Sequence, residues 1–182
     1  MIDEARAPPP APDFAHLIQV NRLEMVDVLG PIIGFLTPPA ADDTSSCVLL
    51  GMIPAGGFVP LHSHPDPETF IAISGDLEGL TERPGGFDWV QIAPGRAFHV
   101  PANAKHAFRN RSLHPVVAYV ATTSKLGRFF REVGAPVRPQ RPPGPPSPEK
   151  VRHFLDTAQR YGFWNGSAED NAAVGIKLPP AA

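Results

Sequence analysis

The feature that most constrains the fold of this chain is its proline content. The sequence contains 24 prolines and 16 glycines among 182 residues. Proline lacks a backbone N–H and has a fixed φ, so it tends to end helices and is excluded from the centre of a sheet. Long helices and long central strands are therefore disfavoured, and the core is expected to consist of many short segments.

Between residues 14 and 122 these short segments read as β-strands. Runs rich in β-branched and aromatic residues alternate with turn sequences such as RPGG, APGR and PANA. The predicted strands are FAHLIQV, CVLLGMI, ETFIAIS, DWVQI, AFHVP, HAFRN and VVAYVATT. Short, evenly spaced strands are typical of a β-sandwich or a β-barrel.

Helices are expected only in the C-terminal part. SKLGRFFREVG has a possible cap at Ser124, and SPEKVRHFLDTAQRYG has Ser147 as N-cap with Pro148 at the first helical position. Between them, APVRPQRPPGPP predicts an extended, polyproline-like strap. The predicted division is a disordered or extended arm over residues 1–13, a barrel over 14–123, and helices and strap over 124–182 packed on the barrel.

Charge and cysteine content narrow the functional classes. The formal net charge is −2 and the 16 basic residues are scattered, so no basic stripe is available for nucleic acid or an anionic membrane. The single cysteine, Cys47, can form neither an internal disulfide nor a cysteine-based zinc site, and it reads as a small buried hydrophobe. MIDEARAPPP lacks the features of a signal peptide, and no apolar run approaches the ~20 residues of a membrane span. We expect a cytoplasmic protein without nucleic-acid or membrane partners.

The stretch LHSHPDPETF contains the most informative side chains. Side chains at positions i and i+2 of a strand leave the same face about 6.6 Å apart, so His62 and His64 can share a metal ion. The PDP sequence turns the chain, so Glu68 starts the next strand and approaches the histidines from beside them. His106, at the head of HAFRN, provides a fourth candidate ligand.

Two stretches, residues 56–75 and 94–110, resemble the two sequence motifs of the cupin superfamily. The matching residues are Gly56, His62, His64, Glu68 and Gly75 in the first motif, and Gly95, Pro101, His106 and Asn110 in the second. Asn103 stands where the family usually has glycine, and asparagine tolerates a left-handed backbone better than most residues. The resemblance implies an all-β, cupin-type double-stranded β-helix, a jelly-roll barrel, with C-terminal helices.

The resemblance also implies a metal centre held by His62, His64, Glu68 and His106. Three imidazoles and one carboxylate suit one divalent first-row transition metal and leave positions open to water, substrate or dioxygen. The ligand set does not distinguish iron, manganese, nickel, cobalt, copper and zinc. The alternative is a barrel whose histidines are hydrogen-bonded and metal-free.

The segment GRFFREVGAP and the following strap and helix are similar to single-domain cupins of the quercetin-dioxygenase-like group. This similarity implies a dioxygenase acting on a flavonol or another enolisable aromatic small molecule, with Glu68 as general base. Two alternatives remain. One is a metal-dependent isomerase, decarboxylase or lyase, which an inward-facing Arg109 or Lys105 would favour, and the other is a non-enzymatic small-molecule binding or sensor protein.

Four further residues are candidates for the substrate pocket. Phe70 and Phe108 share parity with Glu68 and His106, so they are expected near the ligands. Phe58 and His99 are weaker candidates for the pocket wall. The expected partners are a small-molecule substrate, dioxygen for a dioxygenase, and a second copy of the chain, because cupins commonly dimerise through their N-terminal strands, here residues 1–30.

Overall fold

A computed structural model of the protein describes residues 14–137 and 146–179. The predicted arm over residues 1–13 and most of the predicted strap lie outside these residues. The strands are β1 (Met25–Asp27), β2 (Ile32–Phe35), β3 (Ser46–Ile53), β4 (Phe58–Ser63), β5 (Glu68–Ser74), β6 (Leu77–Arg83), β7 (Gly86–Ile92), β8 (Ala97–Val100), β9 (His106–Asn110), β10 (Val116–Thr123), β11 (Ala135–Pro136) and β12 (Trp164–Asn165). The helices are α1 (Ser124–Val133), α2 (Pro148–Arg160) and α3 (Ala168–Ala173), with a 3-10 turn at Val20–Arg22.

The strands form two antiparallel sheets that face each other. The first sheet has seven strands in the order β11-β1-β2-β3-β10-β5-β8, and the second has five in the order β12-β4-β9-β6-β7. Ile53 and Ala72 of the first sheet pack against Leu77, Ile92 and Phe108 of the second in one buried cluster. The core therefore lies between the sheets, and the predicted all-β class is confirmed.

Most predicted strands are present, but FAHLIQV is not a strand. ETFIAIS, HAFRN and VVAYVATT coincide with β5, β9 and β10. Residues 14–19 form no strand, and Phe14 and Leu17 are exposed. Strand propensity acts through packing on neighbouring strands, and this segment has no pairing partner among the described residues. The short strands β1 and β2 and the more polar β6 were not among the predicted segments.

The helix predictions hold with one correction at a cap. Helix α2 begins with the predicted N-cap at Ser147. The N-cap of α1 is Thr123 and not Ser124, because the Thr123 hydroxyl accepts a hydrogen bond from the Leu126 N–H. The Ser124 hydroxyl instead accepts one from the Ala40 N–H. Helix α3 was not predicted, and no helix within the described residues has the length and apolar character needed to cross a membrane.

The C-terminal segment covers the outer face of the second sheet. Strand β12 pairs with β4, and Val174, Ile176 and Leu178 pack on the outward side chains of that sheet. Asn171 fixes this contact, because its Oδ1 accepts a hydrogen bond of 2.8 Å from the Leu61 N–H. The segment thereby reaches the edge of β4, which contains the candidate ligand His62 and is directly followed by His64.

The buried side chain of Asn110 closes the end of β9. Its Nδ2 donates to the carbonyls of Ile53, Pro54 and His114 at 3.1, 3.0 and 2.7 Å, and its Oδ1 accepts from the backbone and the hydroxyl of Ser112. Asparagine at this position therefore joins the end of β3 to the connection between β9 and β10.

We expect Asn110→Ala to lower the free energy of unfolding by about 2–4 kcal/mol, because each lost hydrogen bond contributes ~0.5–1.5 kcal/mol and buried carbonyls lose their donor. Urea denaturation followed by circular dichroism measures the change. Ser112→Ala is the matched control, since it removes only one partner of the amide. A similar free energy of unfolding in wild type and Asn110→Ala would contradict the assignment.

Candidate metal centre

A β-bulge in β4 sets the direction of the first histidine. Across the β4–β9 pair, Val59 lies opposite Phe108 and His62 lies opposite His106, with a register shift between the two pairs. The interval between these two pairs is three residues on β4 but two residues on β9, so β4 contains one extra residue, as in a β-bulge. Because of this extra residue, both Val59 and His62 face the interior. The rings of His62 and His106 lie 4.1 Å apart between centroids.

His64 and Glu68 flank the turn that connects the two sheets. His64 directly follows β4, and Glu68 is the first residue of β5 in the opposite sheet. The second motif contacts this turn, because the Asn103 N–H donates to the His64 carbonyl at 2.7 Å. Asn103 has a φ of 63°, so asparagine does occupy the left-handed conformation expected at this position. The two motifs therefore form one structural unit.

The four predicted ligands converge in the structure. Oε2 of Glu68 lies 3.2 Å from Nε2 of His64 and 3.3 Å from Nε2 of His106. The donor nitrogens of His62, His64 and His106 all lie within 4.8 Å of one another. The side chains of His64, Glu68 and His106 are only 3, 4 and 1% exposed, whereas His62 is partly exposed. Solvent therefore approaches the cluster from the side of His62.

Backbone carbonyls orient two of the three imidazoles. Nδ1 of His62 donates to the Pro60 carbonyl at 2.7 Å, and Nδ1 of His106 donates to the Ala104 carbonyl at 2.9 Å. Since a carbonyl only accepts, Nδ1 carries the hydrogen in both rings and the lone pair remains on Nε2. This arrangement is usual for metal-binding histidines, whose second nitrogen is hydrogen-bonded.

The electrostatics of the cluster favour a positive charge beside Glu68. Burial, together with the neighbouring His106 and His64, holds the pKa of His62 well below its ordinary value. Burial acts to lower the pKa of His64, but the hydrogen bond and charge of Glu68 raise it above the ordinary value. Burial acts to raise the pKa of Glu68, but the adjacent His106 and His64 rings lower it strongly. A bound metal ion would supply this positive charge.

The donor atoms fit a divalent transition metal. Two ligands at right angles, each about 2.1 Å from a metal, lie about 3 Å apart, close to the observed separations of Glu68 Oε2 from the two Nε2 atoms. Nε2 of His106 is buried and has no hydrogen-bond partner among the described residues. A buried lone pair without a donor is the arrangement that a metal ion would satisfy.

Aromatic rings surround the cluster. The Phe108 ring lies 5.8 Å from the His106 ring, and the Phe70 ring lies 4.2 Å from that of Phe108. Phe163, next to β12, lies 5.1 Å from His64 between ring centroids. Phe163 was not among the predicted pocket residues, because no local pattern connects it to a motif about 100 residues earlier in the chain. It reaches the cluster through the pairing of β12 with β4.

The structure places Phe58 and His99 away from the cluster. Phe58 pairs with Arg109 and packs with Leu61 on the outer face of the second sheet, because the bulge reverses the parity between Phe58 and His62. His99 is exposed on the outer side of the first sheet, where its Nδ1 shares a hydrogen bond of 2.9 Å with the hydroxyl of Thr69. Neither side chain contributes to the interior around the four candidate ligands.

The two basic residues beside His106 also point elsewhere. Nε of Arg109 donates to Oε2 of Glu78 at 2.6 Å, and its guanidinium lies 3.9 Å from the centre of the Trp89 ring. Nζ of Lys105 lies 4.6 Å from the centre of the Trp164 ring. Neither residue supplies a positive charge to the interior.

Comparison with known proteins finds a family model that matches part of the barrel. Residues 49–122, which contain all four candidate ligands, match the family model described as Cupin domain. The comparison with curated proteins gave no match. The matched region begins in β3 and ends in β10, so it covers the part of the jelly roll that carries both motifs.

Solved structures show the same fold. An RmlC-like cupin from Shewanella frigidimarina is 13% identical, with 61% of this chain and 92% of that chain covered and a TM-score of 0.50. A sugar phosphate isomerase from a cupin superfamily, from Silicibacter pomeroyi, is 20% identical over 59% of this chain and 75% of that chain, also with a TM-score of 0.50. Together with the domain match, these structures support the cupin superfamily and confirm the predicted cupin-type jelly roll.

The DMSP lyase DddQ from Ruegeria pomeroyi is 27% identical over 45% of this chain, with a TM-score of 0.39. The chain spans 39% of the length of that lyase. The narrower resemblance to the quercetin-dioxygenase-like group remains a prediction.

Proposed function

We propose that the protein is a metal-dependent dioxygenase that acts on a small enolisable aromatic compound, such as a flavonol. His62, His64, Glu68 and His106 would hold one divalent transition metal. The observation that carries the proposal is the aromatic environment of the candidate ligands, in which Phe108 and Phe163 lie beside two of the three imidazoles.

The charges around the centre favour a substrate without phosphate or several carboxylates. A substrate that carries phosphate or several carboxylates requires cationic partners in the site, and arginine is the usual residue that binds these groups in a bidentate way. An inward-facing Arg109 or Lys105 would favour isomerase or lyase chemistry in a polar pocket. Both side chains lie on the outside of the barrel. Aromatic side chains, in contrast, contribute to binding an aromatic ring by offset or edge-to-face contact.

Each residue of the site has a role that follows from its position. When bound, the metal supplies Lewis acidity and an open position for the substrate and dioxygen. Glu68 directs Oε2 into the centre and can accept the proton of an acidic substrate hydroxyl there. Phe163 shields His64 from water, and the partly exposed His62 marks the side from which a substrate enters.

The test combines elemental analysis with oxygen uptake. We expect protein purified without added metal to contain a divalent transition metal and to consume oxygen with a flavonol or a related enolisable aromatic. Protein stripped with a chelator is the control and should consume none until the metal is restored.

The other outcomes separate the alternatives. Product formation without oxygen uptake would replace the dioxygenase with a lyase, isomerase or decarboxylase. Saturable binding of the aromatic compound without turnover would indicate a sensor or binding protein. Protein that contains no metal and cannot be loaded with one would contradict the metal centre itself.

A further inference from the structure

A buried carboxylate outside the proposed ligand set lies in the turn between His64 and Glu68. The side chain of Asp66 is 4% exposed, and its Oδ1 accepts a hydrogen bond from the hydroxyl of Thr123. Its Oδ2 is also buried and has no hydrogen-bond partner among the residues that the structure describes. Leaving a carboxylate oxygen buried without a partner is costly, so a function for this atom is expected.

His64 has a buried ring nitrogen that likewise lacks a hydrogen-bond partner among the described residues. The Nδ1 atoms of His62 and His106 donate to backbone carbonyls, but the buried Nδ1 of His64 has no hydrogen-bond partner in the described part of the chain. A donor and an acceptor, both buried and both unpaired, therefore lie two residues apart in one turn. The Asp66 backbone carbonyl is the other acceptor near the His64 ring, but it does not meet the geometry of a hydrogen bond to Nδ1.

We propose that Asp66 is the positioning residue of His64, with Oδ2 accepting the Nδ1 hydrogen directly or through one water molecule. This contact holds the lone pair of His64 on Nε2, as Pro60 and Ala104 do for the other two imidazoles. It differs from them because a carboxylate partner makes the imidazole a stronger metal ligand than a carbonyl does. The inference depends on the metal centre of the proposed function.

The start of α1 fixes Asp66 in the required orientation. The Thr123 hydroxyl donates to Oδ1 of Asp66 and accepts from the Leu126 N–H, so the cap of the helix also holds the carboxylate. The neighbouring Thr122 hydroxyl donates to the Pro67 carbonyl at 2.9 Å. These contacts occupy one carboxylate oxygen and hold the turn, which leaves Oδ2 available to His64.

The test is Asp66→Asn in the full chain, with Co²⁺ affinity measured by competition with a chromophoric chelator. Asparagine keeps an oxygen for the Thr123 hydroxyl but removes the charge. We expect Co²⁺ to bind about 10- to 100-fold more weakly, the usual effect of losing an outer partner of a ligand, with a changed visible d–d absorption spectrum. Asp27→Asn is the matched control, because Asp27, at the end of β1, is a carboxylate away from the cluster that also accepts one hydrogen bond, from the Gly30 N–H. This control should bind Co²⁺ like wild type.

An unchanged Co²⁺ affinity and spectrum in folded Asp66→Asn would overturn the inference. The backbone carbonyl of residue 66 remains in this variant, and such a result would mean that it is a sufficient partner for His64. Failure of wild type to bind Co²⁺ would instead contradict the metal centre. If Asp66→Asn does not fold, Thr123→Val serves in its place. Thr123→Val removes the hydrogen bond to Oδ1 of Asp66 and is expected to weaken Co²⁺ binding. Thr123→Ser keeps the hydroxyl and should bind Co²⁺ like wild type. Equal affinity in the valine and serine variants would overturn the inference.

Discussion

Replacing His106 with alanine is expected to reduce the metal content of the purified protein well below one ion per chain. Four ligands together provide about 10–16 kcal/mol of binding free energy in structural zinc sites, so one ligand accounts for about 2.5–4 kcal/mol. Its loss corresponds to roughly 10²- to 10³-fold weaker binding. His106 is 1% exposed and its Nε2 lies 3.3 Å from the Glu68 carboxylate, so water does not simply take its place.

Elemental analysis of the purified variant, together with chelator competition, measures this loss. His99→Ala is the matched control, because His99 is a strand histidine on the outer surface with only Thr69 as partner, and it should keep the full metal content. Circular dichroism establishes that both variants are folded. Full metal retention in folded His106→Ala would show that His106 is not a ligand.

Glu68→Gln is expected to reduce turnover more than it reduces metal occupancy. The amide is nearly isosteric with the carboxylate and fits the same space beside His64 and His106, so most of the fold should remain. The lost negative charge weakens metal binding, but excess metal can restore occupancy. General-base catalysis contributes ~10²- to 10⁴-fold, and an amide cannot accept the proton, so the rate per bound metal should fall by this factor.

The decisive quantity is the rate per bound metal, measured in variant protein loaded with excess metal. Glu78→Gln provides the control, since Glu78 is paired with Arg109 on the outer face and should not affect turnover. A wild-type rate in metal-loaded Glu68→Gln would leave Glu68 as a structural ligand only. The proton acceptor would then be water or bound oxygen, because His99, the titratable side chain among the candidate pocket residues, lies on the outer surface.

Several features of the fold and the site could be predicted from the sequence because they depend on residues close together in the chain. The N-cap of α2 and the strands β5, β9 and β10 lie where the local pattern predicts them. The proline turn between His64 and Glu68 brings these two side chains together, with Nε2 and Oε2 3.2 Å apart. Asn103 adopts a left-handed backbone conformation, as the properties of asparagine indicate.

Other features depend on contacts between distant segments. FAHLIQV has the composition of a strand but no neighbouring strand to pair with, so it remains outside the sheets. The alternation of side chains along β4 is interrupted at the bulge, so Phe58 faces outward and His62 faces the interior. A bulge can be recognised only when the pairing of both strands is known. Phe163 reaches His64 because β12 pairs with β4 across about 100 residues of sequence.

The sequence by itself therefore indicated the all-β architecture from short-range patterns of residue type and turn chemistry, and the four candidate ligands and the class of metal that suits them through the resemblance of its two motifs to those of the cupin superfamily. Only the tertiary structure decided which aromatic residues surround the centre, which basic residues are excluded from it, and that Asp66 and His64 share an unpaired buried donor and acceptor. These properties depend on strand register and on the packing of the C-terminal segment, where many weak contacts between distant residues act together.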